Sequence, residues 1–479
     1  MNLKKLLENF PFAVEIKGKS DVGILGLSDH SKNVGPGFVF FARRGKNYDG
    51  NEYVEEAYLA GARVIVSDMY NPFLSKEVTQ VIVPDITLAA CRFSDVFFEL
   101  PADKLYTIGI TGTAGKTTTT CLIRHLYGSD RPLAMSTTIE RRIGELSFPS
   151  SLTTPNQIEL QKFFFDAAAR QMYGAVLEVT SHSLMQNRLG SVRFDQALFL
   201  NLSPEHLDFH HTMDAYFAAK QRLLDALKPG AAIIYNADCP YMRTMKREGA
   251  FSFGSDPGCD LSGKVVQESE EGVEFILSYS GNRYEGKAPL IGAFNFSNVM
   301  AALSSALISG YALETLLSRL MSFEAPRGRL ERVPNTKGTI FVDYAHKPEA
   351  LREVLLSLGK LRKRRLIVLF GCGGDRDRQK RPVMGKVAEE LADVVIVTSD
   401  NPRSESPKAI IDEILMGMSG HNAIVIEDRR AAILKGVHMM EEGDILLIAG
   451  RGHARQQQVH GNMIPLDDVE VASQGSVHA

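Results

Sequence analysis

Cysteine is scarce in this sequence. There are five in 479 residues, at Cys91, Cys121, Cys239, Cys259 and Cys372, and no two are spaced CxxC. That argues against a disulfide framework or a zinc site and fits reduced thiols in a cytosol. An excess of one charge is missing too: 54 Lys and Arg against 57 Asp and Glu leave a formal net charge of -3, which gives no electrostatic reason to expect nucleic acid as partner. No apolar run approaches the roughly 18 residues needed to span a bilayer, so membrane insertion is not expected. The opening MNLKKLLENFPF has neither a long apolar core nor a small-residue cleavage site, so no secretory signal is expected. There is no internal repeat and no low-complexity tract. A cytoplasmic monomer is the expectation, and the hydrophobic fraction of 44% and charged fraction of 23% are ordinary for a soluble globular enzyme.

The chain is organised around Tyr106 to Leu126, YTIGITGTAGKTTTTCLIRHL. An apolar run, Tyr106 to Ile110, reads as a buried strand, and Thr118 to Leu126 can continue as a helix. Between them, Gly112 and Gly115 let backbone N–H groups curl round a phosphate. Lys116 adds a mobile positive charge, and the hydroxyl of Thr117 can hold Mg²⁺. The strict GxxxxGK[ST] pattern is not met, because Ile110 stands where its first glycine would be.

Residues 1–103 read as a first unit, with strand-like FVFFA (38–42) and RVIVS (63–67) around a helical stretch near 52–60, and with ELPADK (99–104) as a linker. A second unit, 104–333, repeats strand, loop and helix, which implies a largely parallel sheet covered on both faces. Its strand Gly174 to Leu177 ends in Glu178, and a carboxylate at a strand end near a phosphate loop is a usual companion ligand for Mg²⁺. A third unit, 334–479, alternates again through TIFVDYAH (339–346), RLIVLF (365–370), DVVIVTS (393–399), AIVIED (423–428) and DILLIAG (444–450), with helices between them. Polar residues cluster after these strands, where ligands bind in open α/β sheets. The tail after Val471 is expected to fray.

Other residues stand out singly. His206, Asp208, His210 and His211, in NLSPEHLDFHH, could bind metal or move protons. Lys220, on a helix whose buried side is marked by leucines, reads on physical grounds as a solvated surface lysine. Asn295 and Asn298, three apart in GAFNFSN, could read an adenine edge or cap a helix. GGDRDRQKRP and DNPR each place an arginine in a strand-end loop, where guanidinium forks suit the carboxylates of an acidic small molecule.

Together TGTAGKTTTT, EVTSH (178–182), EHLDFH (205–210), YFAAK (216–220), GAFNFSN (292–298), PRGRLE (326–331), VDYAHKPEAL (342–351), GCGGDRD (371–377), DNPR (400–403) and GRGH (450–453) resemble, in order and over the whole chain, the Mur ligase family. The resemblance implies an α/β protein of three domains: an N-terminal one for the uridine end of a UDP-sugar peptide, a central ATPase, and a Rossmann-like C-terminal one for an incoming amino acid. It implies ATP and Mg²⁺, phosphorylation of the D-glutamyl carboxylate of UDP-MurNAc-L-Ala-D-Glu, and attack by the amine of the amino acid. DNPR is similar to the form in members that add meso-diaminopimelate rather than lysine. Ligation of lysine or another amino acid, a polyglutamate-type ligase, a weakened nucleotide-binding homologue and a P-loop kinase are the competing readings.

Carried over residue by residue, Gly112, Thr113, Gly115, Lys116, Thr117 and Thr118 would hold phosphates. Asn295, Asn298, Arg329 and Asp343 would surround the nucleotide. Thr117, Glu178, His206 and a carbamylated Lys220 would hold the metal, and Lys116, Lys220, His206 and Glu178 would carry the chemistry. Thr153, Thr154, Thr180, Gln186 and Arg188 would contact the UDP-sugar dipeptide, with Ser31 near the uridine. Arg376, Asp400, Asn401, Arg403 and Gly450 would take the amino acid. The chain departs from the family pattern at Ala114 (for Asn), His30 and Lys32 (for the Asp and Arg of DSR), Glu205 (for the Asp of DHLD), Lys347 (for the Thr of DYAHTP) and Ala454 (for the Glu of GKGHE, which contacts the distal amino end of diaminopimelate).

Overall fold

The computed structural model describes residues 1–8, 10–45, 48–420 and 423–477. The chain forms two compact units. The first comprises Met1–Thr111, Gly128–Ala197 and Phe217–Ala231; the second comprises Gly112–Tyr127, Leu198–Tyr216 and Ala232–Ala479.

In the first unit, a five-stranded sheet runs in the order Glu15–Lys17, Thr79–Ile82, Val64–Ser67, Phe38–Phe41, Gly26–Ser28. All neighbours are parallel except the pair made by Glu15–Lys17. The helix Ile86–Phe98 starts where Asp85 accepts the Leu88 N–H, a side-chain cap of the usual kind. It buries Ala89, Ala90 and Phe93 against Val39, Phe41, Val64 and Val66. ELPADK is not a loose linker. Glu99 and Leu100 both take positive φ, and Pro101–Lys104 follows as a 3-10 turn with Pro101 and Ala102 buried. Burial of these two small apolar side chains fixes a segment whose composition alone reads as a connector.

The same unit holds the parallel strands Leu133–Ser136, Gly174–Glu178 and Tyr106–Thr111, in that order. Registering Glu178 opposite Ile110 puts its carboxylate at the strand end. Beyond Leu133–Ser136 the sheet turns antiparallel through Glu140–Ile143 and Leu146–Pro149.

In the second unit, the helix Lys116–Tyr127 packs on the helix Ala293–Ile308, which is buried along most of its length. A parallel expectation fails over residues 261–288, where Leu261–Ser269, Gly272–Tyr279 and Asn282–Ala288 form an antiparallel meander. Their short turns leave no room for the crossover helices that parallel pairing needs.

The last sheet has six strands in the order Glu331–Val333, Gly338–Asp343, Asp444–Ala449, Leu366–Phe370, Val394–Val397, Ala423–Val425. All neighbours are parallel apart from the antiparallel first pair. Leu366–Phe370 shows why such strands read as unbroken apolar runs. Leu366, Val368 and Phe370 face a core shared with the helices Pro348–Leu361 and Lys380–Leu391, while Ile367 and Leu369 face another shared with Arg429–His438. Each such side chain, fully buried, contributes about 1.5–3 kcal/mol.

Residues 472–477, expected to fray, are helical. Asp468–Val477 is a helix, with Val471 and Ala472 in the second of those cores. Asp468 accepts both Nε and Nη2 of Arg429 at 3.0 and 2.7 Å, with both side chains fully buried. Small residues let this helix sit close, which is why its pattern is faint in the sequence. Among the described residues, no helix is long and apolar enough to cross a membrane.

Candidate active site

The strand Tyr106–Thr111 leads into a loop whose backbone is set by glycine. Gly115 has φ +82°, and a Cβ there would lie 2.1 Å from Asn298 Oδ1, so no other residue fits without displacement. The helix begins at once, with Thr119 N–H donating to Gly115 O at 2.9 Å. Asn201 shapes the loop from outside: its Oδ1 accepts the N–H groups of Thr113 and Ala114 at 3.1 and 2.9 Å. Asn201 was not singled out from the sequence, although it opens NLSPEHLDFHH directly after a strand. Lys116 folds back so that Nζ donates to Gly112 O and Thr113 O at 2.8 and 3.0 Å. Thr117 and Thr118 are buried on the first turn. This cradle, open only because Gly115 lacks a Cβ, fits a phosphate chain at a helix N-terminus.

Of the nucleotide set, Asn298 donates to Asn295 Oδ1 at 2.9 Å and Asn295 to Ile291 O at 2.8 Å. Both amides are buried and locked; neither is the N-cap of its helix, which is Gly292. Arg329 donates to Thr117 Oγ1 at 3.3 Å and lies 4.6 Å over the Tyr344 ring. Asp343 clamps its own turn by accepting the N–H groups of Leu330 and Ala345 at 2.8 and 2.7 Å, and burial pushes its carboxyl above the usual range. Tyr344 also stacks 5.2 Å from His453, whose imidazole burial and the nearby Arg329 lower to about 4. Tyr344 and His453 lie within VDYAHKPEAL and GRGH without an individual role in the sequence, and the stacking brings the two segments together.

His206 takes φ +55°, in the left-handed region where strain gathers at functional sites. Its Nε2 lies 3.1 Å from Glu205 Oε1, and a carboxylate on one ring nitrogen is the usual way to orient a histidine that binds metal through the other. Glu205 also pairs with Lys347. Burial alone would raise its carboxyl, but the His206 hydrogen bond and the charges of Lys347 and Lys116 hold it far below the usual carboxylate range. Two of the positions at which the sequence departs from the family pattern, Glu205 and Lys347, thus meet. His210 is buried against the Tyr216 ring at 5.0 Å, a packing role, while Asp208 and His211 are exposed.

At the strand ends of the last sheet, Arg403 has φ +54° and donates to Gly374 O at 2.5 Å. Burial and the neighbouring charge of Arg376 depress its basicity; Arg376 itself is exposed. Two cations on separate strand-end loops, close enough for one to depress the other, suit an anionic guest. Asn401 Oδ1 accepts from Arg451 and from Gln458 N–H at 3.1 and 2.8 Å, so the turn is braced by a buried arginine that sequence reading passed over. Gly450 has φ +110°, and a Cβ there would lie 2.8 Å from Asp400 Oδ2. Ala454 sits two residues after Gly452, half-buried.

The first unit carries its own cluster. Glu178 accepts Thr138 N–H at 2.9 Å on Oε1 and Thr138 Oγ1 at 3.1 Å on Oε2. Thr138 also reaches Thr153 Oγ1 at 3.1 Å, and Thr154 Oγ1 donates to Glu178 O at 2.8 Å. Thr180 caps the helix Ser181–Met185. Arg188 donates to Thr154 O at 3.2 Å and to Gln186 Oε1 at 2.6 Å. Five predicted substrate contacts therefore lie together round Glu178, and Thr138 is an unforeseen sixth member. Ser31 is elsewhere, donating to Glu56 Oε2 at 3.1 Å. Lys220 is 1% exposed, not the solvated surface lysine that its helix pattern suggests. Among the described residues, no three His, Cys, Asp or Glu side chains gather as a metal cluster.

Comparison with known proteins gives the chain a family. Residues 110–306 match the Mur ligase middle domain and residues 328–452 the Mur ligase glutamate ligase domain. Curated relatives include proteins named UDP-N-acetylmuramoyl-L-alanyl-D-glutamate--2,6-diaminopimelate ligase. The one from Aquifex aeolicus (strain VF5) is 39% identical, covering 94% of this chain and 93% of its own. The one from Chlamydia felis (strain Fe/C-56) is 36% identical, covering 98% of both. A solved structure titled with the same enzyme name is 30% identical, with a TM-score of 0.66, and covers 100% of this chain and 99% of its own. The chain belongs to the Mur ligase family.

Proposed function

We propose that this protein is an ATP-dependent amide ligase of peptidoglycan precursor synthesis, joining meso-diaminopimelate to the D-glutamyl carboxylate of UDP-MurNAc-L-Ala-D-Glu. Full-length similarity to relatives that bear that activity in their names supports the reaction. The observation that carries the reading is a pair of arginines on two strand-end loops of the last sheet, Arg376 after Leu366–Phe370 and Arg403 after Val394–Val397, the second on a turn braced by Arg451. In the same reading residues 1–103 serve the uridine end, 104–333 the ATP and 334–479 the amino acid, and the work is done in the cytoplasm for cell-wall assembly, cell shape and division.

The roles follow from what each side chain can do. The loop N–H groups and Gly115 receive the phosphates, and Lys116 exchanges its loop carbonyls for the transferring phosphoryl group. Arg329 and the buried Asn295 and Asn298 bound the nucleotide. Thr117, Glu178, His206 and Lys220, the last as a carbamate, are the residues that would hold Mg²⁺. When bound, Mg²⁺ neutralises phosphate charge so that the carboxylate can be activated as an acyl phosphate. Lys220 is buried rather than solvated, and a carbamate there would turn its cation into a metal-binding anion. Thr153, Thr154, Thr180, Gln186 and Arg188 orient the dipeptide end of the acceptor, and Ser31 its uridine. Arg403 and Arg376 take a carboxylate of the amino acid, with Asp400, Asn401 and Gly450 shaping the seat. A second reading, ligation of lysine, is favoured by one residue: Ala454 offers no anion to the distal amino group of diaminopimelate.

The test is phosphate release from ATP by the purified protein with UDP-MurNAc-L-Ala-D-Glu, with and without diaminopimelate. Release should require both. Release independent of the acceptor, or none with any amino acid of a panel, would refute the reading.

A further inference from the structure

Lys347 is the N-cap residue of the helix Pro348–Leu361 and makes no side-chain capping bond there. A lysine is badly placed at that end, because the exposed N–H groups of a first turn already carry partial positive charge. Its surroundings add more: Lys380 Nζ donates to His346 O at 2.8 Å, next door in sequence, and the charges of Lys347 and Lys380 both act on His346. The anion that answers this crowding is Glu205. Its side chain is 13% exposed and that of Lys347 20%.

Glu205 belongs to the stretch that matches the Mur ligase middle domain, and Lys347 to the stretch that matches the glutamate ligase domain. The contact therefore joins the two parts. From Glu205 it runs on. Tyr216 Oη donates to Glu205 Oε2 at 3.4 Å, and the same hydroxyl lies 3.2 Å from Thr113 Oγ1. Thr113 is a residue of the phosphate loop, and its hydroxyl also meets Ser203 N–H at 3.1 Å. A continuous polar chain thus runs from Lys347 through Glu205 and Tyr216 to Thr113. Burial and the Glu205 charge both hold Tyr216 in its protonated, donating form.

We propose that Glu205 is a positioning residue: held by Lys347 on one side and Tyr216 on the other, it fixes the phosphate loop to the turn that opens the helix Pro348–Leu361. The loop is thereby set in its receiving shape before any guest arrives, and the glutamate ligase part is held beside it. That this presets the binding of a nucleoside triphosphate rests on the ligase reading above; the mechanical link does not.

Hydrogen exchange by mass spectrometry on the full-length, nucleotide-free protein tests the link. The N–H groups of Thr113 and Ala114 are protected by Asn201, so loosening of the loop registers there. In Lys347→Met and in Glu205→Gln, peptides covering 112–118 should exchange about tenfold faster, with the core strands unchanged. Lys347→Arg, which keeps the charge, should stay within about twofold of the parent. The double variant should be no faster than the worse single one, since both act on one contact. Faster exchange confined to 343–350, or single effects that add in the double variant, would overturn the proposal. The dissociation constant of a fluorescent ATP analogue, measured on the same proteins, should rise about tenfold in Lys347→Met and Glu205→Gln. An unchanged constant beside a faster loop would overturn the presetting role. If the parent protein fails to bind the analogue, the ligase reading falls, while the exchange data still decide the link.

Discussion

The phosphate loop and the DNPR turn both sit at the ends of strands, yet they are built by different means. The loop is made of backbone: Gly115 accepts a left-handed conformation, Asn201 gathers two N–H groups, and Lys116 is the one mobile charge. The turn depends on side chains: Arg451 and the Gln458 N–H brace the Asn401 side-chain oxygen, and Arg403 feels the charge of Arg376 from the loop after Leu366–Phe370. A backbone cradle takes any chain of phosphates, whereas a side-chain turn distinguishes one carboxylated guest from another. The first should fail outright when one residue changes, and the second should fail by degrees.

The largest effect is expected at the loop. Lys116→Ala should abolish phosphate release in a protein that still folds, a loss of at least about 10²–10³-fold. Gly115→Ala should be nearly as severe, because a methyl group would meet Asn298 Oδ1 and the φ of +82° would be strained. Adding Asn298→Ala relieves the contact but leaves the strained φ and removes an amide assigned to the nucleotide, so recovery in the double variant should be at most partial. Steady-state phosphate release and circular dichroism check both, and near-normal turnover in a folded Lys116→Ala protein would remove the loop from catalysis.

At the turn, Arg403→Ala should weaken use of diaminopimelate by roughly 3–5 kcal/mol if the guest carboxylate is buried on binding. Arg403→Lys should recover part of that, since it keeps the charge but loses the fork. The KM for the amino acid is the readout, and equal KM values for all three proteins would place the carboxylate elsewhere.

A smaller effect concerns pH. Burial, then the charges of Lys347 and Lys380, lower His346 from 6.5 to about 3. The folded protein then binds fewer protons at this site than the unfolded chain between those values. Its contribution to stability is complete above about 6.5 and is lost as pH falls toward 3. Urea midpoints should therefore decline from pH 7 to pH 4, and His346→Gln should flatten part of the decline. A midpoint that rises as the pH is lowered would contradict this.

The smallest change expected is a gain. Ala454→Glu should tighten diaminopimelate binding by about 1 kcal/mol, with little effect on lysine. Isothermal titration of the amino acid reads the difference.

What the sequence discloses divides along the same line as the two regions. Gly112, Gly115 and Lys116 are legible because backbone geometry demands particular residues at fixed spacing. The strands of the last sheet are legible because burial on both faces, as in Leu366–Phe370, leaves an unbroken apolar run. The antiparallel meander of 261–288, the buried turn at Pro101–Lys104 and the docked helix Asp468–Val477 are not. Each depends on tertiary contacts that leave weak local patterns. The same holds for the site: His206, Glu178 and the arginines carry motifs, whereas Asn201, Thr138, Tyr344 and Arg451 matter through partners far away in sequence. Lys220 is the sharpest case, since helix periodicity argues for solvent and the fold buries it. Glu205 and Lys347 are each an isolated departure in the sequence and become an ion pair only in the folded chain.

One measurement bears most directly on the account. Supply the protein with ATP, Mg²⁺, UDP-MurNAc-L-Ala-D-Glu, and meso-diaminopimelate and lysine at equal concentration, and identify the nucleotide-linked tripeptides by mass spectrometry. The account predicts a product dominated by diaminopimelate, with that preference lost in Arg403→Ala. A product in which lysine equals or exceeds diaminopimelate would contradict it.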